Sequence, residues 1–168
     1  LSSKVKVLVI GGGRAGFIKA KSFAMRGCKV TVLSLDFDEE FTPLAKKFNI
    51  QLIKAPYSSA YIDSYHIVVI ALGVGRLIKE IKKACQEKFK LYLDCSDYQL
   101  GNLVIPSHAS TKNISYTINT RAASPITSQF LMEGIRSYLS NYDDLVDYLG
   151  SLRKALKGNE KLKEIMAF

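Results

Sequence analysis

The chain has 168 residues, 48% hydrophobic and 23% charged, a balance that excludes an intrinsically disordered protein. A chain of this length buries roughly 70% of its unfolded surface, so one domain, or one domain with an appendage, has a core of its own. Lys and Arg number 24 against 15 Asp and Glu, a net +9 that points to an anionic partner, and no apolar run reaches the roughly 18 residues of a membrane helix.

Residues 5–10 (Val-Lys-Val-Leu-Val-Ile) are β-branched and nearly all apolar, the pattern of a strand buried on both faces of a parallel sheet. The run Gly11-Gly12-Gly13-Arg14-Ala15-Gly16 follows at once, and residues 17–25 read as a helix closed by Gly27. Residues 29–34 predict a second strand, Phe41, Leu44, Ala45 and Phe48 recur at helical spacing, and residues 50–53 predict a third strand. Such β-α-β-α-β alternation predicts an α/β fold with a doubly wound parallel sheet. A fourth strand is predicted over 66–72, broken by Gly73 and Gly75. Next comes a helix with Leu77, Ile78, Ile81, Ala84 and Cys85 on one face and Lys79, Lys82 and Lys83 largely off it, then a fifth strand over 91–95.

After Asp97 the alternation stops. Residues 101–110 read as a loop with an apolar segment, Leu103-Val104-Ile105, and residues 114–120 alternate as a strand should. Ser124-Pro125 opens a helix running to about Leu139, with Ser as N-cap and Pro at the first helical position. A last helix carries Leu145, Leu149, Leu152 and Leu156 at spacings of three and four, with Asp143 and Asp144 in its first turn. The organisation is therefore a nucleotide-fold region, residues 1–100, a small α+β extension, 101–140, and a helical tail, 141–168.

Three cysteines without a CxxC and two histidines argue against a disulfide framework and a multi-His metal centre, and they fit a reducing cytoplasm. No signal peptide is expected, because the first apolar segment runs straight into the glycine loop. His66, at a strand start, reads as structural, and Cys95 as a small core residue.

Gly11-x-Gly13-x-x-Gly16 between a strand and a helix is the pattern of a dinucleotide site. Gly11 permits the tight turn, Gly13 lets the backbone approach a pyrophosphate, and Gly16 lets helix and strand pack closely. The helix N-terminus offers unpaired N–H groups to the phosphates, and Arg14 and Ala15 of the glycine run are further cofactor contacts. Asp36 stands 20 residues beyond Gly16 as a ribose ligand, with Ser34 at the strand end as the alternative. Gly73 follows the neighbouring strand. No arginine follows Ser34 to meet a 2′-phosphate, so NAD is preferred over NADP.

With GGGRAGFIKAKSF and GCKVTVLS at its start, the sequence resembles the siroheme synthase N-terminal domain family, the precorrin-2 dehydrogenases and sirohydrochlorin ferrochelatases. Asp94-Cys95-Ser96-Asp97 followed by Leu103-Val104-Ile105-Pro106-Ser107 resembles its acidic loop and apolar-Pro segment, and Ile118 to Pro125 resembles its strand-to-Ser-Pro signature. The resemblance implies a Rossmann-like domain, a dimerisation and substrate region over 101–140, and a homodimer. It implies NAD-dependent oxidation of precorrin-2 to sirohydrochlorin, with Fe2+ as a further substrate in members that also insert iron. The functional aspartate it implies falls on Asp97, with Asp94 and Ser96 as alternatives, and it would accept a proton.

A polycarboxylate tetrapyrrole gives the +9 charge a rationale. Candidate substrate contacts are Arg121, Thr120, Ser124 and His108, with Arg14 and Lys112 as further cations; Ser124 also caps its helix. The alternative is a non-catalytic module that binds NAD or a tetrapyrrole. Lys and Arg are spread along the chain without a nucleic-acid motif, so neither nucleic acid nor membrane is expected as a partner.

Overall fold

A computed structural model describes residues 3–73, 75–120 and 124–157. The chain divides into two compact units, Leu1–Val104 and Ile105–Phe168.

In the first unit, Val7, Leu8 and Val9 have no exposed surface, because β1 (Lys6–Ile10) occupies the middle of a five-stranded sheet. It is flanked by β2 (Lys29–Ser34) and β4 (Ile67–Ile70), with β3 (Gln51–Lys54) and β5 (Leu91–Asp94) outermost. All pairings are parallel, in the order β3-β2-β1-β4-β5. This is the doubly wound α/β fold that the alternation predicts. The register sets Ile10 opposite both Leu33 and Ile70. The strand order therefore reverses beside β1, where open sheets of this type bind ligands at the carboxyl ends.

Two helices, α1 (Arg14–Met25) and α2 (Phe41–Phe48), meet through an edge-on contact of Phe17 and Phe41. A third, α3 (Arg76–Glu87), sets Ile78, Ile81 and Cys85 into a cluster with Leu8, Ile10 and Val68. Helix α1 begins three residues earlier than periodicity suggests. Phe17 N–H already donates to the Gly13 carbonyl at 2.9 Å, which brings Gly16 inside the helix. The open edge of β5 is covered by the chain itself. Tyr92 N–H donates to Asn102 Oδ1 at 2.7 Å, and Asn102 Nδ2 donates to the Lys90 carbonyl at 3.0 Å. Backbone groups that would template a foreign strand are thereby occupied.

In the second unit, β6 (Ser107–Ser110) and β7 (Ser115–Ile118) form an antiparallel hairpin beside α4 (Pro125–Ser140), and α5 (Asp143–Ala155) follows. Strand β6 lies in the stretch expected as a loop; Ser-His-Ala-Ser has little strand signal, and pairing with β7 supplies what propensity does not. Ser124 caps α4 as expected, accepting from Thr127 N–H at 3.3 Å. Among the described residues no helix is long and apolar enough to cross a membrane.

Asp143 binds the hairpin turn to the start of α5. Its carboxylate accepts from Thr111 Oγ1 at 2.7 Å, Asn113 N–H at 2.8 Å and Lys112 N–H at 3.2 Å. The Thr111 hydroxyl, ahead of the opposing effect of burial and aided by those amides, holds this carboxyl below its ordinary range. A depressed carboxyl stabilises the fold above its unfolded pKa, and that contribution is lost as pH falls through the folded value. Amide protection factors across the β6–β7 turn should therefore fall on acidification below about pH 4. Asp143→Ala should show fast exchange there at neutral pH and lose the acid dependence.

Candidate functional site

Gly11 has φ +125°, and a β-carbon on it would lie 2.2 Å from the Ala71 carbonyl oxygen at the end of β4. A β-carbon on Gly16 would lie 2.0 Å from the Gly11 carbonyl oxygen. These two glycines let β1, β4 and α1 meet without side chains between them. At Gly13 the space is open: a β-carbon there would meet no atom within 4 Å. Gly13 caps α1 without a side-chain hydrogen bond, and the helix begins at Arg14 and Ala15 with no acid in its first turn. An open approach to unfilled helix-end amides fits a dinucleotide pyrophosphate. Gly12 was not singled out by the glycine spacing, yet a β-carbon on it would lie 2.0 Å from the Asp36 carbonyl oxygen and 2.9 Å from Ser34 Oγ. The sign for it was the unbroken run of three glycines.

Of the two ribose candidates, Ser34 ends β2 with its hydroxyl against the glycine loop. The exposed carboxylate of Asp36 instead pairs with Lys54 at 3.2 Å. That hydrogen bond, with the Phe37 amide and the Lys54 charge, keeps the Asp36 carboxyl below its ordinary range. Arg14 points to Glu40, 2.8 Å away, with its guanidinium over the Phe17 ring. Gly73 is exposed just beyond β4, and nothing lies within 4 Å of a β-carbon there.

The acidic loop continues from β5 on the same sheet edge. Asp94, 2% exposed, ends the strand. Its Oδ1 accepts from Ser96 N–H at 2.8 Å and from Ser96 Oγ at 2.6 Å, and its Oδ2 meets Lys82 Nζ at 2.5 Å. Burial pushes this carboxyl up, but the bonds from Lys82 and Ser96 outweigh it and hold the group below its ordinary range. Asp97 is exposed, and its Oδ1 accepts from Gln99 N–H at 2.9 Å, opening a short 3-10 turn over Tyr98–Leu100. Lys82 is the second residue missed. The pattern grouped it with the solvated lysines, yet it follows Ile78 by four positions and shares the buried face of α3. Cys95 is half-buried, and burial raises its thiol pKa against the pull of Lys19, consistent with a packing role. His66 is structural: its Nδ1 accepts from Lys6 N–H at 3.0 Å.

In the second unit, Thr120 and Ser124 come together at the start of α4, where Thr120 Oγ1 accepts from Ser124 N–H at 3.2 Å. Lys112 is exposed in the hairpin turn, and His108 is exposed on β6 opposite Thr117. Arg121 lies outside the described residues.

The glycine geometry separates packing from binding. Gly13→Val should leave the melting temperature within a few degrees of wild type and weaken nicotinamide dinucleotide affinity more than about tenfold, about 1.4 kcal/mol. Gly16→Ala should lower the melting temperature by at least about 4 °C. Thermal denaturation with titration calorimetry reads both, and equal destabilisation by the two changes would refute the distinction.

A family model described as "Putative NAD(P)-binding" matches residues 2–107. Siroheme synthase of Salmonella dublin is 23% identical over 152 residues, 89% of this chain and 33% of that protein. Siroheme synthase of Salmonella arizonae is 22% identical over the same shares. The chain thus spans about a third of the length of these curated relatives. A solved structure titled "SirC, precorrin-2 dehydrogenase" superposes with a TM-score of 0.70 at 22% identity, covering 93% of this chain and 77% of that one. The siroheme synthase resemblance carried by the glycine loop, acidic loop and Ser-Pro segment is borne out by these relatives. With its open glycine cradle at the reversal point of a parallel sheet, the chain belongs to the NAD(P)-binding family whose model covers residues 2–107.

Proposed function

We propose that the chain is a precorrin-2 dehydrogenase that uses NAD. The observation carrying this reading is the open cradle at Gly13 on the same sheet edge as the exposed Asp97. When bound, NAD supplies the hydride acceptor. Gly13 and the first amides of α1 hold the pyrophosphate, and Ser34 holds the ribose. Leu35 and Asp36 follow Ser34, and neither offers a cation to a 2′-phosphate, which favours NAD over NADP.

Asp97 accepts the proton that leaves the tetrapyrrole as the hydride departs. In a member that inserts iron, the same carboxylate accepts pyrrole protons as Fe2+ enters. The basic excess draws in a polycarboxylate substrate. Thr120, Ser124, His108 and Arg121 contact its carboxylates. The three unpaired cysteines fit a reducing cytoplasmic setting.

We further propose a homodimer formed through the second unit. Support comes from α4 and α5, which leave large apolar side chains outside: Ile126 is 80% and Phe130 77% exposed, and Leu145 and Leu149 of the leucine stripe are exposed as well. A soluble chain seldom leaves such a face uncovered. Sedimentation should give twice the chain mass for the wild type and one chain mass for Phe130→Glu.

The reaction is tested anaerobically with precorrin-2 and NAD, following NADH and the sirohydrochlorin spectrum. Asp97→Ala should lower kcat by about a hundredfold or more, in the range of a lost acid–base group, with NAD affinity unchanged. A wild-type chain that binds NAD without turnover would replace the enzyme with a binding module. Faster turnover with NADP would overturn the cofactor preference, and Fe2+ uptake into sirohydrochlorin tests the chelatase arm.

A further inference from the structure

We propose that Lys82 is a positioning residue that acts through Asp94 to fix the turn presenting the Asp97 carboxylate. The proposal rests on the reading of Asp97 as the proton acceptor. It adds a residue from α3.

The three lysines of this helix differ in their surroundings. Lys79 and Lys83 are exposed, and Lys83 lies 3.8 Å from Glu87 along the helix. The Lys82 side chain is 16% exposed and ends 2.5 Å from a carboxylate oxygen that is itself buried. Taking two charges out of water costs several kcal/mol per ion before their attraction is counted, so a buried pair often adds little net stability over apolar residues of similar volume. Removing one partner is another matter, because a buried charge is then left uncompensated. The pair is therefore better explained by what it fixes.

What it fixes follows from the two oxygens of Asp94. Oδ2 is held by α3 through Lys82, and Oδ1 holds the Ser96 amide and hydroxyl. Cys95 N–H, between them, donates to the Ile70 carbonyl at 2.9 Å and ties the turn to β4. Asp97 comes next and caps the 3-10 turn through Gln99 N–H. Beyond that turn, Asn102 returns to Tyr92 and Lys90 on the edge of β5. The segment is thus anchored at Asp94 and at Asn102, with Asp97 between the anchors. Without the Lys82 ammonium, the buried Asp94 carboxyl must take up a proton or turn toward water, and either change alters its bonds to Ser96.

The test uses the full chain with Lys82→Met, Asp94→Asn and the double variant. In Lys82→Met, exchange of the Ser96 and Gln99 amides should accelerate about tenfold or more, while β1 and β4 amides keep their protection. NAD affinity should hold within about twofold, and kcat for precorrin-2 should fall about 10- to 100-fold with KM nearly unchanged, as expected for a misplaced proton acceptor. The double variant replaces the pair with neutral groups of similar size, and the side-chain amide that Asp94→Asn introduces can still accept from Ser96. It should recover both exchange protection and kcat beyond either single change. A merely structural pair would instead raise exchange throughout the sheet and shift kcat in step with stability.

Unchanged exchange at Ser96 and Gln99 in Lys82→Met overturns the proposal, as does a double variant no better than the singles. A wild-type chain without turnover whose Gln99 amide still responds to Lys82→Met overturns the dehydrogenase reading and supports the coupling. If Lys82→Met fails to fold, the double variant decides: wild-type-like exchange and kcat support the pair as a positioning device, and loss of both refutes it.

Discussion

The backbone packs closely where β1 ends. The Gly11 carbonyl stands where a β-carbon of Gly16 would be, and the Ala71 carbonyl where a β-carbon of Gly11 would be. Because neither position can carry a side chain, α1 starts directly at the edge of the sheet, and the ends of β1, β2 and β4 converge on one spot. Gly11 N–H donates to the Leu33 carbonyl at 2.9 Å, and Ala71 N–H donates to the Ile10 carbonyl at 2.9 Å, so the convergence is hydrogen-bonded on both sides. The open face at Gly13 and the hydroxyl of Ser34 follow from that geometry. Their positions are set by backbone, which is why the cradle stays formed while side chains such as Arg14 and Asp36 turn to Glu40 and Lys54.

The second unit is built on a different principle. Among the described residues its hairpin and helices bury few apolar side chains: in α4, Met132 lies inside while Ile126 and Phe130 do not. Polar clamps take up the work that a larger core would do. Asp143 gathers three donors from one turn, Tyr116 donates its hydroxyl to the Met132 carbonyl at 2.7 Å, and Ser124 caps α4. Such bonds fix local shape but add only modestly to stability, because each replaces a bond to water. In the proposed homodimer, covering the apolar face of α4 and α5 would add to the stability of this unit.

How much of this was legible in the sequence depends on what each feature rests on. The five strands and their parallel direction came through, because buried parallel strands are written as unbroken apolar runs such as Val7 to Ile10 and Ile67 to Ile70. The Ser124 cap came through because capping is a local rule. Strand β6 did not, since Ser107 to Ser110 becomes a strand only by pairing with β7. In the candidate site the roles of Gly11, Gly13 and Gly16 were legible from their spacing; that Gly12 lies against Asp36 was not, because it depends on contacts between residues far apart in the chain. Lys82 was hidden for a similar reason. A lysine four residues beyond Ile78 reads as solvated until a carboxylate is known to lie beneath it.

Asp36, Glu40, Asp63, Glu87 and Asp94 of the sheet unit all stand within ion-pair distance of a cation. Four of these pairs are at least half-exposed on the acid side, where solvent screens them, so they do little for the fold. Their electrostatic effect is larger than their energetic one: with these acids already neutralised, the field outside the chain comes from the surplus lysines and arginines. A surplus of that kind attracts any polyanion and selects none. In the proposed function selection falls to placed groups, among them the backbone cradle and the acidic turn at the sheet edge. The two scales are separable by salt, since the diffuse field is screened within about 10 Å at 0.1 M while a buried pair is screened much less.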